Sequence, residues 1–205
     1  MPRPANEVTR LLERYRRGEL DDEALLERLA RLESREDADS GPNSDTHEDA
    51  DTAAARTPLA ARLDEYRAAE ASGAATLETW AGLSSDPALV GGLRTAAARE
   101  AKHASLLERR VRELGGSSSA RIPRWLADFN ARITDPAATD LERLRLIVER
   151  FPDVDSASQR VLEMADAIVG DELTRELLRA ICVDELATLE WAHEAYCVRA
   201  GAGRA

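Results

Sequence analysis

Sulfur-bearing and aromatic side chains are scarce in this 205-residue chain: it has two Cys, two Met, two Phe, three Trp and three Tyr. Cys182 and Cys197 lie 15 positions apart in one helical pattern. That is about 22 Å along an axis rising about 1.5 Å per residue, far beyond disulfide reach. Both read as small buried side chains, and a chain without disulfides suits a reducing cytoplasm. No stretch approaches the roughly 18–20 consecutive apolar residues of a membrane span, and MPRPANEVTR lacks the apolar run of a secretory signal. A cytoplasmic protein without membrane insertion is therefore expected. Positive charge is also short: 28 Lys and Arg stand against 39 Asp and Glu, a net of −11. That balance argues against nucleic acid as a partner, because phosphate binding needs a basic surface. There is no C-x-x-C, no Gly-rich phosphate loop and no G-x-S-x-G. Alternating Val/Ile/Thr runs are missing too, so strands are not expected.

What remains is helical periodicity in three blocks. Residues 1–34 form a short helical pair, with Val8, Leu11, Leu12 and Tyr15 on one face and Leu25, Leu26, Leu29 and Leu32 on the other helix, separated at Gly18. Thirty residues bury little apolar surface alone, so this pair is expected to dock on a protein partner or a second copy. Residues 35–57 are acidic and polar with no large apolar side chain, the composition of a flexible tether, and His47 in it reads as solvated. Residues 58–200 carry four long helical segments at 58–83, 87–114, 140–169 and 172–198, the third broken or kinked at Pro152, followed by a tail at 201–205. A short helix near 123–133 lies in the long connection after Gly115–Gly116. The expected fold is all-α: two tight hairpins joined by one long crossover, an antiparallel four-helix bundle preceded by a short hairpin on a linker.

One helix holds chemistry in an apolar stripe. Leu89, Leu93, Ala96, Glu100, His103, Leu107 and Leu114 follow one face of segment 87–114, and Glu100 and His103 are i and i+3. A carboxylate and an imidazole aimed at a core need partners, and a metal ion is an efficient one. Glu70 lies on the stripe of Leu63, Tyr66, Ala74 and Leu77. It is 16 residues before Asp86 in the turn, and Glu100 is 14 after it, so an antiparallel hairpin brings the two glutamates level. Trp80, Trp125 and Trp191 read as packing residues.

The segment RAAEASGAATLETWAGLSSDPALVGGLRTAAAREAKHASLLERRVRELGG, with its lone glutamate, DP turn, E-x-x-H helix and closing Gly-Gly, resembles the first hairpin of rubrerythrin-like proteins of the ferritin-like superfamily. The N-terminal pair is weakly similar to SHOCT-like helical modules. The superfamily is built from two tandem hairpins. A shift of 85 residues places Tyr66 on Phe151, Leu77 on Leu162, Glu78 on Glu163, Asp86 on Asp171, Leu93 on Leu178 and Glu100 on Glu185. The same shift puts Asp155 where a glutamate is expected and Thr188 where the second histidine is expected. A second E-x-x-H, Glu190–His193, lies five residues beyond the expected level, about 7.5 Å along the helix and about 140° around it. The resemblance implies a metal centre of Glu70, Glu100, His103 and Glu185 with Asp155, or with Glu190 and His193 in the alternative register. It implies iron, two ions or one if the second half-site is lost, with manganese as the other candidate, and Fe(II) oxidation, peroxide reduction or a related reaction. It also implies a homodimer. A ferritin-like scaffold without a functional centre, acting as an interaction module, is the competing expectation, favoured by Thr188 and Pro152.

Overall fold

The computed structural model describes Arg10, Leu11, Arg14, Glu19, Ala24 and Arg28 individually, then residues 46–157 and 159–202, with side chains from Pro58 onward except those of Arg160 and Ala202. The expected helical pair of residues 1–34, residues 35–45 of the expected tether, the side chain of His47 and the end of the tail lie outside the described residues. From residue 46 onward the described residues form seven helices in chain order: α1 (Thr46–Leu83), α2 (Pro87–Glu113), α3 (Arg124–Ile133), α4 (Asp140–Arg150), α5 (Val154–Ala157), α6 (Gln159–Asp166) and α7 (Glu172–Ala202). No strand occurs among the described residues, whose architecture is all-α. No helix among them is long and apolar enough to cross a membrane.

The helix boundaries follow the punctuation of the sequence, with one correction. Residues 46–57, expected as tether, are the start of α1. Ala53, Ala54, Ala55 and Arg56 are among the strongest helix formers, and their propensity outweighs the local polarity on which the expectation rested. Between α1 and α2, Asp86 caps the second helix by accepting hydrogen bonds from the amides of Ala88 (2.9 Å) and Leu89 (3.3 Å). Pro87 follows at the first helical position, where its missing N–H goes unused. The Arg199 guanidinium closes this corner by donating to the other Asp86 oxygen. At the far end of α2, Gly115 takes φ +78°, a left-handed conformation that glycine adopts without penalty, and the chain turns into the crossover. Asp64 of α1 holds that crossover. It is only 3% exposed, and its carboxylate accepts the amides of Ser119 (2.7 Å) and Ala120 (2.6 Å) as well as Arg67 Nε (2.6 Å).

Contacts divide the chain into two units, Met1–Thr46 with Ser158–Val183, and His47–Ala157 with Asp184–Ala205. This division does not follow the sequence-order blocks 1–34, 35–57 and 58–200, because α7 contributes residues to both units. In the first unit, Ala165, Ile168, Leu177, Leu178, Ile181 and Cys182 are buried. Asp171 caps α7 there, accepting the amide of Thr174 at 2.9 Å. The second unit has a core of Leu77, Trp80, Ala81, Leu89, Leu93, Ala96, Ala97, Ile133, Leu144, Ala192 and Ala195. Its polar anchor is Asp140, which accepts Trp80 Nε1 and Ser84 Oγ, each at 2.7 Å, and Arg143 Nη1 at 3.2 Å. Arg143, 2% exposed, donates to the carbonyls of Ile133 (2.9 Å) and Asp135 (2.7 Å), satisfying backbone oxygens at the end of α3. Two sequence expectations are corrected at the surface. Cys197 is exposed, whereas Cys182 is buried. Trp125 is 55% exposed, with the Arg150 guanidinium 5.0 Å from its ring centre, rather than packed in a core.

Candidate metal centre

The carboxylate and imidazole groups of the apolar stripe meet inside the second unit. Helix α2 buries Leu89, Leu93, Ala96, Ala97, His103, Leu106, Leu107 and Val111 along one side. His103 is thereby carried inward to 4% exposure, facing Glu70 of α1, which is also 4% exposed. The arm count places Glu70 level with Glu100, but the pairing is displaced by about one turn: His103 Nδ1 lies 2.9 Å from Glu70 Oε2, and the Glu100 carboxylate lies over Gly73, three residues further along α1. From α7, Glu185 Oε1 stands 3.4 Å from the same Nδ1, and Asp184 Oδ2 stands 3.3 Å from Nε2. Glu70, His103 and Glu185 each offer a ligand atom, all within 4.8 Å of one another. Glu100, half-buried, lies outside that trio and is linked to it by charge alone, being acted on by Glu185, Glu70 and His103.

The charges are out of balance. Burial works against a charged imidazole, but hydrogen bonds to Asp184, Glu185 and Glu70 outweigh it and push the His103 pKa up to about 11. The surroundings therefore favour the imidazolium, in which each ring N–H can donate to a carboxylate, Nδ1 to Glu70 and Nε2 to Asp184. Glu70 is raised, first by burial and then, against the hydrogen bond from His103, by the charge of Glu185. A further hydrogen bond from Tyr66 works in the lowering direction. Glu100 is raised well above its ordinary 4.5 by burial, then by Glu185 and by Glu70. No hydrogen-bond donor reaches its carboxylate among the described residues. Four carboxylates thus surround one positive ring, and the one without a donor is Glu100.

The remaining sequence candidates lie elsewhere. Asp155 is exposed on the single-turn helix α5, its amide 3.2 Å from Asp153 Oδ1. The break at Pro152 ends α4 and resets the helical phase, so the repeat that aligned Asp155 with Glu70 does not survive in space. Glu190 is exposed. His193 Nε2 is 2.8 Å from the carbonyl oxygen of Phe151. It serves the backbone oxygen left over where α4 stops, and the alternative register is not the one in the cluster. Thr188 is half-buried. Two participants escaped the sequence reading. Asp184 looked ordinary beside Glu185, and its role needs the third dimension. Gly73 had a signal, an isolated glycine inside a long helix one turn from Glu70. A Cβ at this position would lie 1.9 Å from Glu100 Oε2 and 2.8 Å from its Cδ, so the Glu100 carboxylate occupies the space a side chain would take.

No family model, no curated protein and no solved structure matches this chain.

Proposed function

We propose that this chain is a ferritin-like, rubrerythrin-like metal-binding protein whose Glu70, Glu100, His103 and Glu185 hold divalent iron or manganese. The observation that carries the reading is the convergence of Glu70, His103 and Glu185 within 4.8 Å, together with the electrostatic coupling of Glu100 to them and the absence of a donor on its carboxylate among the described residues. Hard carboxylate oxygens with one imidazole nitrogen suit Fe(II) or Mn(II) better than a soft metal. In this reading His103 gives up one proton and offers Nδ1, the nitrogen that faces Glu70 and Glu185. Its Nε2–H stays on Asp184, which fixes the tautomer and ring orientation, as carboxylate partners of metal-bound histidines do. Iron held there would supply electron exchange with O₂ or peroxide. The chain's own residues would bind it and neutralise its charge, with Glu70 and His103 themselves almost wholly buried. With Asp155, Glu190 and His193 away from the cluster, one ion per chain is the expected stoichiometry. The all-helical architecture accords with a ferritin-like bundle, and a homodimer and a protein partner for residues 1–34 belong to the same proposal.

A second reading, a ferritin-like scaffold without a metal, is favoured by the His103 imidazolium itself, which already gives Glu70, Glu185 and Asp184 a cation. Metal content after anaerobic Fe(II) loading and desalting separates the two. About one iron per wild-type chain, absent from a Glu100→Ala/His103→Ala double variant of unchanged circular dichroism, supports the metal centre. About two irons would require ligands beyond the cluster. None in wild type leaves the scaffold.

A further inference from the structure

We infer that Gly73 is a positioning residue: the space left by its missing side chain is the berth that seats the Glu100 carboxylate over α1, one turn from Glu70. Three distances carry the inference. A Cβ on residue 73 would stand 1.9 Å from Oε2, 2.8 Å from Cδ and 3.3 Å from Oε1 of Glu100. The whole carboxylate therefore sits over the bare backbone of α1. Gly73 is three residues beyond Glu70, on the same helix face, so the berth opens beside the first carboxylate of the cluster. Glycine weakens a helix interior more than any residue except proline, and α1 accepts that weakness inside its 38 residues, ten residues before its end. Because no donor reaches Glu100 among the described residues, steric space rather than a hydrogen bond sets where its carboxylate lies. A side chain at 73 displaces the Glu100 carboxylate from this berth, and in the metal reading it shifts the oxygen donor that Glu100 would bring to the centre. The inference rests on the metal reading only for the berth's purpose; the berth itself is a packing relation that can be measured without metal.

The test uses the full chain, Mn(II) alone as the probe in anaerobic calorimetric titration, and melting curves in EDTA. Four variants are compared with wild type: Gly73→Ala, Glu100→Ala, Gly73→Ala/Glu100→Ala and Gly73→Ala/Glu100→Asp. Gly73→Ala is expected to weaken Mn(II) binding by about 10–100-fold, the usual effect of losing a residue that orients a ligand. Aspartate at 100, one methylene shorter, fits beside the new methyl group and restores most of that loss. In EDTA, Gly73→Ala raises the melting temperature of the Glu100→Ala chain by about 1–4 °C, the ordinary gain from alanine in a helix. In the chain that keeps Glu100 the rise is smaller or reversed. Unchanged Mn(II) affinity in Gly73→Ala overturns the inference, and so do equal melting shifts in the two backgrounds. If wild type takes up no Mn(II), the metal reading falls by itself. The melting cycle then still decides the berth, with unequal shifts sustaining it and equal shifts ending it.

Discussion

Replacing Glu100 with glutamine should stabilise the metal-free chain while weakening its hold on metal. Glutamine keeps the shape, removes the charge, and its NH₂ finds acceptors in the adjacent carboxylates. Two unit charges about 4 Å apart at an effective dielectric of about 20 interact by about 4 kcal/mol. Glu100 feels two repulsions, from Glu185 and Glu70, against one attraction, from His103. The balance is roughly one repulsive pair, reduced because the side chain is only half-buried, which leaves about 1–3 kcal/mol in favour of the variant. For a chain of this size that is a melting-temperature rise of about 2–12 °C. The pH dependence has a definite sign. Because the folded-state pKa is raised above 4.5, the native state holds a proton that the unfolded chain releases. The wild-type chain therefore loses stability as pH rises from about 4.5 towards the folded pKa. Glu100→Gln removes that loss, so the gap between variant and wild type widens with pH. Added Mn(II) at about 100 times its dissociation constant stabilises wild type by about 2.7 kcal/mol, and the variant by less. Calorimetric melts at pH 5 and pH 7.5, in EDTA and in Mn(II), read all of this. A variant that melts below wild type in EDTA at pH 7.5 would show that Glu100 has a stabilising partner, and would refute the charge argument.

Three further outcomes concern the frame around the site. Asp64→Ala leaves the amides of Ser119 and Ala120 without their acceptor and should cost about 1–3 kcal/mol in urea unfolding. Burial raises the Asp64 pKa, but those two amides and Arg67 more than reverse it, so the group lies below its ordinary 3.8. Its contribution is present above about 3.8 and disappears as pH falls through the folded pKa, so wild type and variant should converge in acid; a constant gap would contradict this. Asp140→Ala strands the Trp80 N–H and the buried Arg143 and should cost about 3–5 kcal/mol, the effect of leaving a buried charge uncompensated; a loss below 1 kcal/mol would mean that water replaces the carboxylate. Gly92→Ala would place a Cβ 2.1 Å from the Trp191 ring. A rigid indole cannot bend aside, so a loss of about 1–3 kcal/mol is expected, checked by thermal unfolding and by Trp fluorescence.

Much of the second unit was legible because its signals are local. The DP turn, Asp86 as cap, the closing Gly-Gly and the apolar stripe of α2 all act within a few residues, and they set the hairpin that places Glu70 against His103. Counting arms from Asp86 brought the right helix face to Glu70 but missed the register by about one turn, because the true pairing is Glu70 with His103 and Gly73 with Glu100. The signal failed where a feature depended on a distant group. Thr46–Thr57 looked like tether because polarity was weighed above alanine's helix propensity. Asp155 was aligned through an 85-residue repeat, but the break at Pro152 cancels helical phase. His193 lies on an apolar stripe, yet its partner is the Phe151 carbonyl, 42 positions away, a need that appears only once α4 is known to stop there. Asp64 and Asp140, which hold the crossover and the α3–α4 corner, look like any other acidic residues in a chain with 39 of them.

The two readings of the cluster meet in a single exchange. As it stands, His103 supplies the positive charge, and its two N–H groups point at Glu70 and Asp184. A divalent ion at Nδ1 must displace one of those protons, because only a deprotonated nitrogen binds metal. The cation that organises the scaffold reading is thus the competitor of the cation in the metal reading, and both use the same side chains. Glu70, Glu185 and Asp184 do not discriminate, since each has a partner with the imidazolium present. Glu100 does: a metal-free scaffold has no use for a half-buried carboxylate without a donor, lodged over a glycine that weakens its helix. A chain selected only for packing would be better served by glutamine at 100 and alanine at 73. The presence of Glu and Gly together is therefore the feature on which the proposed metal reading and the scaffold reading part.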